Sequence, residues 1–321
     1  MTVGIRELTS QQQRAIESNF TRNGTLYVSD DVHSMLDCAS TWDVGIPPVA
    51  QAAPHPDALL GIAADGVLRE EFFGGLYFNR TIHRQAMVDP VGFDVLRSLT
   101  ATSSRSTNGL VEALQPLHGG AAVTAAVADL VASGVLVEGA RADVRYIEAN
   151  DLAKAYLQAP TIVEAELTYG CFRACRHCAY SSSPTASTAD ELSASAWADV
   201  FAKLADAGVF VIQLTGGDPL FRSDAFDIVE AADRAGLSVY VRSDTVALTD
   251  ENLDRLQALD NLWHIGTSID GADEVTHDWM RGKGAFATLV ERMTRLAERG
   301  VAVAAGATLH RSNAATVQEI G

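Results

Sequence analysis

The second half of the chain alternates between short apolar segments and longer segments of helical periodicity. Five apolar, β-rich runs begin near Ile162, Val209, Ser238, Trp263 and Val301. The helix-period segments between them are 189–207, 222–235, 249–259 and 286–299. Parallel strands need a crossover connection, which is usually a helix and almost always right-handed. The alternation therefore predicts a parallel α/β sheet with five strand–helix steps, the last of them cut within its helix at Gly321.

Three of the four cysteines, Cys171, Cys175 and Cys178, lie within eight residues. The low cysteine count and the lack of a signal-like amino terminus do not favour disulfides. Three thiolates on one loop can instead hold three corners of an iron–sulfur cube. The fourth iron would then be open to a small ligand with a free amine and carboxylate. A structural zinc site with His177 as the fourth ligand is the alternative.

Polar or glycine-rich segments also follow the next three predicted strands. They are 215–219, 243–245 and 268–271. In a parallel barrel the loops after the strands open onto one face, where catalytic groups lie. We therefore expect four loops to meet at one mouth.

The C-x3-C-x2-C motif after the first strand and the Gly-Gly-acid-Pro loop after the second resemble the radical S-adenosylmethionine (SAM) enzymes. The resemblance covers 162–310 and implies the first five units of a six-unit partial (β/α) barrel. It implies a [4Fe-4S] cluster on the three cysteines and SAM as the second cofactor. The SAM contacts that it implies are Gly216, Gly217, Asp218 and Pro219 at the methionine amine, Ser243 and Asp244 near the ribose, and Ser268 and Arg281 at the carboxylate.

The sequence departs from the family pattern at three of these loops. Asp218 replaces the commoner Glu, His177 stands where an aromatic residue usually precedes the third cysteine, and Thr245 replaces a Gly. Relatives with the features around Ser268 and Arg281 commonly carry further cluster cysteines in a C-terminal domain, and this chain has no such cysteines.

Residues 61–145 combine short β-rich runs with three helical patterns. We expect a hairpin whose tight turn is Gly74-Gly75, and a third strand over 85–88. The predicted helices are 90–100, 107–117 and 121–132, and a strand over 135–137 closes the module. This order predicts a winged-helix-like α+β domain, between an extension over 1–60 of open role and the partial barrel over 146–321.

That module resembles the recognition element of enzymes that mature ribosomally synthesised, post-translationally modified peptides (RiPPs). The resemblance implies that a leader peptide adds a strand to the sheet edge near 85–88, beside the helix 121–132. The leader-bearing precursor peptide is therefore an expected partner.

The charge balance limits the other partners. Twenty-four Lys and Arg stand against 41 Asp and Glu, giving a net charge of −17. Such a field repels phosphate backbones and anionic membranes, so we expect no nucleic acid and no membrane partner. The amino terminus has neither a basic segment nor an apolar one, which favours a cytoplasmic location.

The resemblance implies a peptide maturase that reductively cleaves SAM to a 5′-deoxyadenosyl radical, which takes hydrogen from a leader-bound peptide. A flavodoxin or ferredoxin would supply the electron. Crosslinking is the favoured outcome, with epimerisation or another rearrangement as alternatives. The different class of protein that stays open is a peptide-binding adaptor whose barrel is inert or completed by another chain.

Overall fold

The computed structural model describes residues 55–102, 104–150, 152 and 156–320. The chain forms two compact units, Met1–Pro160 and Thr161–Gly321. Most of the predicted extension over 1–60 lies outside the described residues, and so does Cys38. Within the described residues, no helix has the length and apolar character needed to cross a bilayer.

The described residues of the first unit form two sheets and three helices. Its strands are β1 Leu59–Ile62, β2 Gly66–Glu71, β3 Gly74–Asn79, β4 Arg84–Val88, β5 Arg105–Ser106, β6 Leu136–Glu138 and β7 Val144–Ile147. Its helices are α1 Pro90–Thr102, α2 Thr107–His118 and α3 Gly120–Ala132. One sheet has the order β4-β3-β2-β7 and the other β5-β1-β6. The three predicted helices are present, and the strand over 85–88 is confirmed as β4, an edge strand antiparallel to β3. The winged-helix assignment of this unit stays a prediction.

The hairpin turn differs from the sequence expectation. Glu71 pairs with Gly74, so the turn is Phe72-Phe73, and the two glycines begin β3 instead. Gly74 has φ +134°, and a Cβ there would lie 2.4 Å from the Val88 carbonyl oxygen. A Cβ on Gly75 would lie 2.4 Å from the Phe93 ring. The glycines are thus required by the close approach of β4 and α1 rather than by the turn.

A buried ion pair on β2 holds the segment after β7 within the first unit. Arg69 Nε donates to Glu71 Oε1 at 2.7 Å, and both side chains are fully buried. The Gln158 amide donates to Glu71 Oε2 at 3.0 Å, and Arg69 Nη1 donates to the Pro160 carbonyl at 3.3 Å.

The predicted domain boundary between residues 145 and 146 would cut β7, which pairs with β2. The units instead divide at Pro160 and Thr161.

The second unit is a five-stranded sheet in which every neighbouring pair is parallel. Its strands are β8 Ile162–Thr168, β9 Val211–Gly216, β10 Ser238–Arg242, β11 Leu262–Ser268 and β12 Val303–Gly306, in the order β12-β11-β10-β9-β8. Its helices are α4 Ala194–Asp206, α5 Ala225–Arg234, α6 Asp250–Gln257, α7 Glu274–Arg281 and α8 Ala285–Glu298. The predicted parallel α/β fold is confirmed. Helix α7 was not predicted, and the described residues after β12 form turns and a 3₁₀ helix, Val317–Glu319, instead of the predicted helix.

The two faces of this sheet differ in character. Val239 and Val241 are fully buried in the core that the helices cover. Because side chains alternate along a strand, Tyr240 and Arg242 lie on the opposite face. The Tyr240 ring packs against His264 of β11 with the ring centroids 4.1 Å apart and the planes tilted by 35°, so this second face carries polar and aromatic groups.

Candidate cofactor site

The loop that carries the three cysteines begins directly after β8. A bridge between Gly170 and Ser183 closes it, and the Cys171 amide donates to the Ser183 carbonyl at 3.2 Å. All three thiols are free; Cys171 is buried, and Cys175 and Cys178 are half-buried. The Ser182 amide donates to Cys178 Sγ at 3.3 Å, the kind of contact that tunes cluster thiolates.

Burial raises the pKa of the Cys171 thiol to about 12, and the nearby carboxylates of Asp218 and Asp244 act in the same direction. Burial also raises the pKa of Cys175, an effect that the Arg281 guanidinium opposes. These thiols would be protonated at neutral pH when nothing is bound. Coordination to a metal deprotonates a thiol, so cluster binding would release protons.

The Gly-Gly-Asp-Pro loop lies against the start of the cysteine loop. The Gly217 amide donates to the Thr168 carbonyl at 2.7 Å, and the Asp218 amide donates to the Gly170 carbonyl at 2.9 Å. A Cβ on Gly217 would lie 2.2 Å from the Gly170 oxygen, so no side chain fits there. Gly216 ends β9 with φ +119°. The two glycines allow the backbones of these loops to touch.

Asp218 is fully buried and joins the loops that follow β9 and β10. Its carboxylate accepts hydrogen bonds from the Ser243 hydroxyl at 2.9 Å and from the Asp244 amide at 3.0 Å. It also accepts from the Leu220 amide at 2.9 Å, at the start of the 3₁₀ helix Pro219–Phe221. Burial, reinforced by the Asp244 carboxylate, raises the pKa of Asp218 to about 8. The structure therefore brings together three of the predicted SAM-contact residues, with the Asp218 side chain acting as an internal brace.

Asp244 links this brace to the cysteine loop. Arg173, between Cys171 and Cys175, forms an ion pair with Asp244 through Nε and Oδ2 at 2.5 Å. The next residue, Thr245, has φ 72°, a conformation that favours glycine. Thr245, which stands in place of the glycine expected here, thus has a conformation that glycine adopts without strain.

Ser268 and Arg281 come from β11 and α7. Ser268 ends β11 opposite Gly306 of β12. Arg281 is the last residue of α7, not a loop residue, and its Nε donates to Asp270 Oδ2 at 2.6 Å. Its Nη atoms make no hydrogen bond to any residue that the structure describes. A guanidinium held through Nε keeps its terminal edge available for a carboxylate.

Asp270, which is not among the predicted site residues, is fully buried and contacts several segments around the site. Its Oδ2 also lies 3.6 Å from His177 Nε2 in the cysteine loop, and its Oδ1 accepts from the Thr308 amide at 2.8 Å. Asn313 donates to the Asp270 carbonyl at 2.8 Å. The position of Asp270 after β11 was a usable signal, whereas Asn313 lies 43 residues away and carries no local signature.

The zinc alternative finds no support in this geometry. Over the described ranges, no three His, Cys, Asp or Glu side chains converge as the ligands of a single metal ion do. His177, its proposed fourth ligand, faces Asp270 instead. In a cubane cluster each cysteine binds a different iron, so the thiolates need not converge on one point. Three free thiols on one loop fit a cluster in donor chemistry, and the open edge of Arg281 fits an amino-acid carboxylate.

Comparison with known proteins agrees with this geometry. Residues 165–320 match the family model described as the radical SAM superfamily. This stretch is similar to a radical SAM domain, and the predicted cofactors, a [4Fe-4S] cluster and SAM, are those that members of that family use.

Curated relatives match the same part of the chain. A PqqA peptide cyclase of Ruegeria pomeroyi is 35% identical over 158 residues, which are 48% of this chain and 41% of the relative. The mycofactocin maturase MftC of Mycobacterium tuberculosis is 34% identical over 164 residues, which are 51% of this chain and 41% of the relative. The chain thus spans about two-fifths of the length of these relatives.

Two solved structures are similar in fold over 81% of this chain. SuiB of Streptococcus suis, bound to its precursor peptide SuiA, has a TM-score of 0.57 at 15% identity, covering 81% of this chain and 59% of SuiB. SuiB bound to SAM has a TM-score of 0.51 at 16% identity, covering 81% and 60%. At such identity the likeness supports the fold.

A methyl group on Gly217 should disrupt the contact between the two loops. We expect Gly217→Ala to lower the free energy of unfolding by about 1–3 kcal/mol, because overlap with the Gly170 carbonyl forces the backbone to move. Gly306→Ala is the matched control, since its Cβ would come no closer than 4.0 Å to the Thr267 oxygen. Urea denaturation compares the two variants, and equal stability would contradict this account of the loop contact.

Proposed function

We propose that this protein is a radical SAM peptide maturase that modifies a ribosomally made precursor peptide, with crosslinking as the favoured outcome. The observation that carries the proposal is the meeting of three free thiols with the Gly216-Gly217 backbone at the ends of parallel strands. The named relatives, a peptide cyclase and a maturase, support the substrate class. The proposal includes a cytoplasmic location.

In this proposal Cys171, Cys175 and Cys178 would hold a [4Fe-4S] cluster, and SAM would be the second cofactor. Bound together, the two cofactors supply a carbon radical able to remove hydrogen from an unactivated C–H bond. The Gly216-Gly217 segment and Pro219 offer backbone to the methionine amine, and Ser268 and Arg281 receive the carboxylate. Ser243 and Asp244 line the ribose side.

Asp218 has a supporting role in the same proposal. Its carboxylate is fully buried and already occupied by three donors, so it holds the loops after β9 and β10 in place rather than contacting SAM. The substrate residue then binds against the polar sheet face that carries Tyr240, Arg242 and His264. The adaptor alternative gives no reason for an Arg281 whose terminal edge has no partner in the described residues.

The same proposal places the leader peptide on β4. The Arg80 amide donates to the Asp65 carbonyl at 2.9 Å, which fixes the alternation of hydrogen bonds between β2 and β3. By that alternation Tyr77 faces β4 and pairs with Ala86, so Gln85 and Met87 direct their backbone N–H and C=O away from the sheet. These groups can receive an added strand.

Replacing each clustered cysteine by Ala should abolish the cluster. After anaerobic reconstitution we expect the unchanged protein to hold iron and sulfide in equal amounts and to cleave SAM under reductant. Each variant should lose the charge-transfer absorbance and the cleavage, because a cubane lacking one more protein ligand is not retained. Cys38→Ala is the matched control and should keep both properties. Tight zinc without SAM cleavage in the unchanged protein would contradict the proposal.

Proline at an outward-facing position of β4 should block strand addition. Proline lacks the N–H that a leader would accept, and edge strands tolerate it where that group faces solvent. We expect Met87→Pro to weaken leader binding at least tenfold, as measured by fluorescence anisotropy with a labelled leader, while circular dichroism stays unchanged. Ala86→Pro removes a bond to β3 and should instead unfold the sheet. Undiminished affinity in a folded Met87→Pro protein would rule out this edge.

A further inference from the structure

Three segments around the cysteine loop are basic, although the chain as a whole is strongly acidic. Residues 171–189, 279–290 and 300–318 contain no Asp or Glu. Their Lys and Arg residues are Arg173, Arg176, Arg281, Lys283 and Arg311. In a chain of net charge −17, such segments depart from the average composition, although Asp278 directly precedes one of them.

Contacts around Trp279 bring the three segments together. The Arg176 amide donates to the Met280 carbonyl at 3.0 Å, and the Arg176 guanidinium lies 4.8 Å from the centre of the Trp279 ring. His310 stacks on the same indole, with ring centroids 5.5 Å apart and an interplanar angle of 27°. We call the surface formed by Arg176, Trp279, Lys283, His310 and Arg311 the donor face.

Two of the five cations in these segments are neutralised, and three are not. Arg173 pairs with Asp244 and Arg281 pairs with Asp270. Arg176, Lys283 and Arg311 are exposed and form no ion pair with any residue in the described part of the chain. Trp279 is 47% exposed beside them. An exposed indole among unpaired cations is typical of surfaces that bind an acidic partner.

We propose that the donor face is the docking surface for a small acidic electron-transfer protein of the flavodoxin or ferredoxin class. The inference rests on the proposed function, since it requires a cluster on Cys171, Cys175 and Cys178. Arg176 lies between two of these ligands, so a partner seated on it is next to the cluster. One electron leaves the reduced flavin or iron–sulfur centre of the partner and enters the cluster, and no atom is transferred.

The charge of the donor face suits such an encounter. Transient redox complexes bury less surface than stable assemblies, and they depend on complementary charge to reach high association rates. Electrostatic steering between exposed charges weakens as salt shortens the Debye length. Binding through the donor face should therefore depend strongly on ionic strength.

The test compares charge reversals that change the net charge equally. Arg176→Glu, Arg311→Glu and the control Arg141→Glu each take the formal charge from −17 to −19. Arg141 is exposed in the first unit and has no ion pair with a described residue. For each reconstituted protein, reduced flavodoxin is the probe. Its affinity is measured by biolayer interferometry, its electron delivery by bleaching of the cluster, and iron content and reduction by dithionite serve as controls.

We expect Arg176→Glu and Arg311→Glu to lower the flavodoxin affinity and the bleaching rate about tenfold at low salt, as loss of electrostatic steering predicts. The difference should shrink at 0.5 M salt, and the dithionite rate, iron content and precursor-peptide affinity should stay unchanged. Equal effects of Arg141→Glu, or a loss confined to peptide affinity, would overturn the docking surface. Failure of the unchanged protein to cleave SAM with dithionite would instead overturn the proposed function.

Discussion

In the second unit all five strands run in parallel, so their carboxyl ends and the loops that follow lie along one edge of the sheet. This single constraint decides where the chemistry can be placed. The cysteine loop follows β8, the Gly-Gly-Asp-Pro loop follows β9, and Ser243 and Ser268 stand at the ends of β10 and β11. The parallel arrangement thereby brings residues from distant parts of the chain to one edge.

Two buried carboxylates hold the loops at that edge. Asp218 joins the loops after β9 and β10 through the Ser243 hydroxyl and the Asp244 amide. Asp270 joins α7 to the segment after β12 through Arg281 and Thr308. Each carboxylate is fully buried and accepts several hydrogen bonds, which is the condition under which a buried acid is tolerated. Both lie beside predicted SAM contacts, Asp218 next to Gly217 in sequence and Asp270 in an ion pair with Arg281.

Local patterns predicted most of the fold. Strand–helix alternation gave the parallel sheet, because apolar runs of this length between helical segments have few other solutions. Helix α7 was missed although Asp273 caps it, accepting from the Thr276 amide at 2.8 Å, because eight residues show too little periodicity. The hairpin turn was misplaced because Gly74-Gly75 is shaped by contacts with β4 and α1 that no local rule reveals.

The candidate site also has residues that local sequence patterns predict and others that they do not. The cysteines stand out by their spacing, whereas the Gly216-Gly217 loop is predicted only from its position after the second strand and from the resemblance to the family motif. The contacts of Asp270 involve residues far away in sequence, such as Thr308 and Asn313, so no local pattern predicts them. The same holds in the first unit, where the local sequence around Arg69 and Glu71 is typical of surface charges although the pair is buried. Position after a parallel strand is the one local signal that would have identified Asp270.

The central claim is that the three cysteines leave one iron of a cluster open for SAM. Electron–nuclear double resonance of the reduced, reconstituted protein tests it most directly, using SAM labelled with ¹⁵N at the methionine amine and ¹⁷O at the carboxylate. The account predicts hyperfine coupling of both labels to the cluster. A reduced cluster that shows neither coupling while SAM is bound would contradict it.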